Sequence, residues 1–270
     1  MIDLPKTDTL LLDYSKGRLY VTLNRPERRN AMNNQMNQEL HDITDFLATS
    51  ESIRVVIIRG AGGHFCAGGD IKERKEQTDS AAQSADPARD RNIRSGQLFK
   101  KFWQLPQTLI AVVEGSAMGG GFGLACLADL TIVTKDAKLG MPETTLGIAP
   151  AQIAPYVVKR IGLTRAKQMA LTGERINGEQ AHQIGIAQYL ADSSDSLDSL
   201  LETVIQQVEQ CGPKACAATK QLMQQVGEID ADEMIQFSAT IFSELNKQDE
   251  GREGHRAFVE KRKPIWTTDK

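Results

Sequence analysis

Three short apolar runs constrain this chain most. RVVIIRG (54–60), TLIAVVEG (108–115) and DLTIVT (129–134) are continuous rather than alternating. A strand apolar at every position is covered on both faces, which is the habit of a parallel sheet between helices. Helical patterns fill the intervals. From Asn30 to Thr49, Met36, Leu40, Ile43 and Leu47 recur at steps of four, three and four, one face of a helix. TLLLDY and RLYVTLN flank Ser15-Lys16-Gly17 and predict a hairpin. After about Leu197 the pattern is helical only: SLLETVIQQVEQ, PKACAATKQLMQQV, DEMIQFSATIFSEL and GHRAFVEKRKP follow one another, with Pro213 suited to a first turn. The expectation is an α/β core over 1–195 and a helical region over 196–270.

Composition excludes several functions. Lys and Arg number 32 against 35 Asp and Glu, a net charge of −3, so no basic excess favours nucleic acid. No apolar run approaches the roughly 20 residues of a membrane span, and the start lacks the pattern of a signal peptide. Cys66, Cys126, Cys211 and Cys216 form no CxxC and no zinc pattern, and predict free thiols in a reducing cytoplasm. The 72–92 stretch, KERKEQTDSAAQSADPARDRN, is polar and of mixed charge; a solvated loop and a partly helical lid both fit it.

Three stretches carry chemistry. GAGGHFCAGGDIKE (60–73) follows an apolar strand, and its small residues either make a tight turn or let a ligand approach backbone N–H groups. EGSAMGGGFGLACLADL (114–130) places Gly119, Gly120 and Gly121 at a helix start, where free N–H groups meet the positive dipole end. It matches neither common nucleotide-binding glycine pattern. Two such turns, both after strands, supply two N–H donors for one oxygen if they converge, which is what an oxyanion hole requires. In KLGMPETTLGIAPAQIAPYVVKRIG (138–162), Glu143 stands in apolar surroundings. Buried, it has a raised pKa and trades protons near neutral pH; on the surface it is a helix cap. His41, His64, His182 and His255 are scattered and read as structural, and no G-x-S-x-G elbow is present.

At these residues the chain resembles the enoyl-CoA hydratase/isomerase (crotonase) family. The resemblance runs from LNRPERRNAM through HFCAGGDIKE, GGGFGLACLADL and MPETTLG to AFVEKRKP, nearly the full length. It implies a spiral of repeated ββα units closed by C-terminal helices that build homotrimers, often paired as hexamers. It implies an acyl-CoA thioester as substrate, with no metal and no redox cofactor. Carried onto this chain, the oxyanion hole falls on the backbone N–H groups of Gly69 and Gly120, and the acid/base on Glu143. Gly68, Gly69, Asp70, Ile71 and Lys72 would lie along CoA, with Arg28, Ala31 and Ala67 near its nucleotide end. Phe258 and Lys261 resemble positions that reach CoA from a C-terminal helix or a neighbouring subunit; a solvated helix face suits Lys261 equally.

One departure matters. Hydratases of this family pair two glutamates, and the first of them falls here on Gly123. Some hydratases of branched glutaconyl-CoA thioesters, whose branch is isohexenyl or methyl, share the loss. The chain is similar to them in GAGGHFCAGGDIK, GGGFGLAC, PETTLG, PAQIAP and EKRKPIW. PAQIAP stands where common hydratases carry a glycine-rich segment. The resemblance therefore implies hydration of a branched 2-enoyl-CoA; a Δ3,Δ2-isomerase also suits a single glutamate. A distal carboxylate needs a cation or donors. Arg91, Arg94, Lys75 and Gln152 are candidates, with Met118, Phe122, Ile148, Ile153 and Tyr156 as walls for a branch.

Overall fold

The computed structural model describes residues 2–70 and 85–267. Ile71, Lys72 and Lys75 lie outside them. The chain opens with a hairpin, β1 (Leu10–Ser15) and β2 (Arg18–Leu23), paired in register from Leu10↔Leu23 to Ser15↔Arg18. Lys16 and Gly17 both have positive φ, 51° and 78°, the two-residue turn whose twist suits a hairpin. Helix α1 (Asn34–Ala48) follows, its first turn closed by Asn33, whose side chain accepts from the Met36 N–H.

The apolar runs form β3 (Val55–Gly60), β4 (Thr108–Val113) and β6 (Leu130–Thr134). With β9 (Tyr189–Ala191) and the hairpin they make a six-stranded sheet, order β1-β2-β3-β4-β6-β9, parallel from β2 onward. A second sheet holds the three-residue strands β5 (Ser116–Met118), β7 (Lys138–Gly140) and β8 (Arg175–Asn177). The remaining helices are α2 (Pro87–Gln104), α3 (Gly120–Leu127), α4 (Ala154–Thr172), α5 (Gly178–Gln183), α6 (Ser194–Glu209), α7 (Pro213–Gln225), α8 (Ala231–Lys247) and α9 (Asp249–Val259). The ββα repeat is visible as β1-β2-α1, β4-β5-α3 and β6-β7-α4. In the last two units the first strand joins the large sheet and the second the small one.

Strand alternation divides the core. Val56, Ile58, Leu109, Ala111 and Val113 point to the larger cluster, which also holds α1, α2 and α3 side chains. Val55, Ile57, Ile110, Val112 and Ile132 point the other way, onto Leu197, Leu201, Val204 and Ile205 of α6. Helix α6 therefore covers the back of the sheet. Arg18 of β2 ties it down through Glu202 at 2.8 Å and Glu209 at 2.7 Å. Beyond it, the Glu250 carboxylate accepts from the Lys214 and Ala215 N–H groups at the start of α7, joining α9 to that helix. The 72–92 stretch is helical from Pro87 on.

Candidate active site

Strand pairing brings the two glycine turns together. After β3 the chain returns beside β5: the Phe65 N–H donates to Glu114 O (2.9 Å), Cys66 N–H to Ser116 O (2.8 Å) and Met118 N–H to Cys66 O (2.9 Å). This parallel bridge, Cys66 to Ala117, sets Gly68 against Gly119. A Cβ on Gly68 would lie 2.8 Å from Met118 O and 3.7 Å from the Gly119 Cα. Both residues have positive φ, 94° and 53°, so space and backbone conformation each require glycine.

The two donors of the predicted hole are left open by the same pairing. Met32 bridges to Gly69, donating to Gly68 O (2.7 Å) and accepting from the Asp70 N–H (2.9 Å). In such a bridge the middle residue turns its own N–H to the other side. Gly120 is the first residue of α3, where no carbonyl lies one turn back. Among the described residues neither the Gly69 nor the Gly120 N–H donates to a protein acceptor.

Register also places Glu143. Strand β7 runs parallel to β5 with Met118 opposite Gly140, and the Gly119 N–H donates to Gly140 O at 3.0 Å. Two residues on, Pro142 opens a 3-10 turn, Pro142–Leu146. Thr144 Oγ1 anchors that turn by donating to Ala170 O in α4, and Thr145 Oγ1 donates back to Pro142 O. The carboxylate then lies over the glycines: Oε1 is 2.9 Å from where a Gly119 Cβ would stand, and Oε2 is buried. Two backbone donors and one carboxylate thus share a few ångströms of space.

Position 123 is filled. A Cβ on Gly123 would lie 2.3 Å from Cγ2 and 2.8 Å from Cβ of Ile153, a residue 4% exposed. Ile153 comes from the PAQIAP segment, and its neighbour Gln152 reaches α2, donating to Asn92 Oδ1 (2.6 Å) and lying over Gly96. No carboxylate fits at 123 beside Ile153. Of the other predicted walls, Phe122 is fully buried, Tyr156 packs edge-on to Phe99 at 6.2 Å, and Ile148 is exposed.

Of the residues expected along CoA, Arg28, Ala31, Ala67, Gly68, Gly69 and Asp70 come together at one edge. The Ala67 N–H donates to Arg29 O, which holds Arg28 and Ala31 beside Ala67, Gly68 and Gly69. Two residues unforeseen from sequence hold that edge. Asn30, fully buried, donates through Nδ2 to Ala61 O and His64 O and accepts from the Arg25 N–H. Arg25 pairs with the Asp70 carboxylate at 3.0 Å, so the Asp70 side chain faces protein rather than solvent. Phe258 and Lys261 lie elsewhere, at the end of α9; Phe258 is 86% exposed and Lys261 has a φ of 54°.

The remaining candidates are structural. His64 Nδ1 is hydrogen-bonded to Ser116 Oγ at 3.2 Å, and the rings of His41, His182 and His255 bond backbone carbonyls. All four cysteines are free, and burial pushes the Cys66 and Cys126 thiols up to about 12, which keeps them protonated and unreactive. Among the described residues no helix is long and apolar enough to cross a membrane.

The enoyl-CoA hydratase/isomerase family profile matches residues 13–269. A 2,3-dehydroadipyl-CoA hydratase of Escherichia coli K12 is 32% identical over 256 residues, covering 94% of this chain and 97% of that protein. The structure of Pseudomonas aeruginosa AtuE superposes with a TM-score of 0.93 at 43% identity, over 97% of this chain and 100% of that one. An enoyl-CoA hydratase/isomerase from Marinobacter aquaeolei gives a TM-score of 0.92 at 43% identity, over 96% and 99%. With the repeat, the paired glycine turns and the overlying glutamate in place, the chain belongs to the enoyl-CoA hydratase/isomerase (crotonase) family and is an enoyl-CoA hydratase-type lyase.

Proposed function

We propose that the chain hydrates a branched 2-enoyl-CoA whose acyl group ends in a second carboxylate, isohexenylglutaconyl-CoA first and methylglutaconyl-CoA as the alternative. The observation that carries this reading is the placement of Glu143 Oε1 against Gly119, between the two glycine turns, while Ile153 fills position 123. The thioester carbonyl oxygen would accept from the Gly69 and Gly120 N–H groups. Glu143 would take a proton from water as the water oxygen bonds to C3. The electron pair of the C2–C3 double bond then rests on the carbonyl oxygen as an enolate, stabilised by the two donors. Glu143 returns the proton to C2, and the product is a tertiary alcohol at C3. The acyl group named for the Escherichia coli relative, dehydroadipyl, is also that of a dicarboxylic acid, which supports the second carboxylate.

The decisive experiment incubates the purified protein with 3-isohexenylglutaconyl-CoA and 3-methylglutaconyl-CoA and follows mass. A gain of one water, lost in Glu143→Gln, supports the reading; no gain with either substrate ends it. A second reading, Δ3,Δ2-isomerisation, draws on the same filled position, since one carboxylate suffices to move a proton from C2 to C4 and back. It predicts a shifted double bond at constant mass. The apolar side chains exposed on the helical region, Ile235, Phe242 and Phe258, support assembly as a homotrimer or a pair of trimers, which sedimentation would test.

A further inference from the structure

Helix α2 carries two different stripes along one face. Its second half buries Leu98, Phe99 and Phe102, as a core helix does. Its first half places Ala88, Arg91, Asn92 and Ser95 on the continuation of that face, at spacings of three, one and three, and these residues line a cavity of about 190 Å³. Met32, Asn33, Asn34, Asn37 and Asp70 form the facing wall. The cavity adjoins the oxyanion site. Asp70 follows Gly69 directly, and the Met32 methyl is 2.6 Å from where a Gly120 Cβ would stand.

Several of the polar lining groups are engaged within the protein. Asn92 accepts from Gln152, Asp70 pairs with Arg25, Asn33 caps α1, and Ser95 Oγ donates to Arg91 O. The half-buried Arg91 guanidinium makes no hydrogen bond or ion pair with a described residue. Asn37 Oδ1 is buried and has no partner among the described residues. A half-buried cation that lines a cavity and has no counter-ion among the described residues is poised for an anion from outside. In a glutaconyl thioester the free carboxylate stands four bonds from the thioester carbonyl carbon, roughly 5 Å away. An arginine on a cavity whose wall includes Asp70 and Met32, next to the oxyanion turns, is the cation available to that carboxylate.

We propose that Arg91 binds the distal carboxylate of the acyl group and is the residue that selects a dicarboxylic acyl-CoA over a simple one. Arg94 also lines the cavity and adds charge, but it is exposed where Arg91 is half-buried. The proposal rests on the reading that the substrate carries a second carboxylate. A phosphate of CoA is the other anion that an arginine near this site can hold, and the experiment separates the two.

The test is calorimetric binding of glutaryl-CoA and butyryl-CoA, which have no double bond to react, to the full chain and to Arg91→Gln and Arg91→Lys. The native chain should bind glutaryl-CoA at least about tenfold more tightly, as a charge-assisted bidentate contact requires. Arg91→Gln should abolish that preference and leave butyryl-CoA binding unchanged, while Arg91→Lys keeps part of it. Equal weakening of both thioesters in Arg91→Gln overturns the proposal in favour of a CoA phosphate. Absence of a preference in the native chain overturns it outright. Because neither ligand reacts, failure of hydration with a preserved preference would sink the proposed reaction and leave Arg91 in this role.

Discussion

Two places on helix α3 lie one turn apart and have opposite contents. At its start, a glycine leaves room that the Glu143 carboxylate occupies, 2.9 Å from the missing Cβ of Gly119. One turn on, Gly123 leaves similar room, and an isoleucine methyl fills it at 2.3 Å. The first place is polar because strand register delivers a carboxylate to it. The second is apolar because the PAQIAP segment packs down on it. Similar glycines thus make room for a carboxylate at one end and for core packing at the other, and the surroundings decide which.

The comparison can be broken most forcefully at Glu143. Glu143→Gln should lower kcat by about 10³, within the usual range for loss of a general acid/base, with little change in melting temperature. A variant with full activity would mean that the carboxylate is not the proton carrier. Gly123→Glu should act in the opposite way, destabilising by about 3–5 kcal/mol because a charge is forced against Ile153 without a partner. Denaturant titration measures this, and adding Ile153→Ala should recover part of the loss; if the single change is neutral, the place is not filled. Gly121→Ala probes the junction between the two turns, since its Cβ would lie 2.4 Å from Cys66 O. It should lower stability by about 1–3 kcal/mol.

The smallest effect sharpens the contrast from outside the site. The Arg262 guanidinium, 2.5 Å from the Glu253 carboxylate, holds that group down at about 2, against an ordinary value of 4.5. A carboxylate with a depressed pKa stabilises the fold above its ordinary value, and that contribution is lost as pH falls from 4.5 toward 2. Melting temperature followed through this window should drop, and Glu253→Gln should flatten the drop while leaving catalysis at neutral pH unchanged.

Much of this was readable in the residues, for local reasons. Continuous runs such as Val55–Ile58 announce strands covered on both faces, and alternate residues do enter two separate clusters. Met36, Leu40, Ile43 and Leu47 all lie in the first of them. The three-residue strands β5, β7, β8 and β9 are too short to show a period, and β5 and β7 are what brings the candidate site together. The glycine turns were legible as turns, but not the Cys66–Ala117 bridge that sets one against the other. Ile153 and Gly123 meet across 30 positions of sequence, and neither residue type signals the contact. Asn30 gave no sign either, because its role depends on carbonyls of a later loop.

The filled place beside α3 also bears on how such a sequence changes over generations. A glutamate gained at 123 while Ile153 remains is a clash, and a smaller residue gained at 153 while Gly123 remains is a void. Each step alone lowers fitness through the fold before any new chemistry exists to be selected. A lineage that has reached this packing is thus held there, as by a ratchet, by the fit of one isoleucine against one glycine.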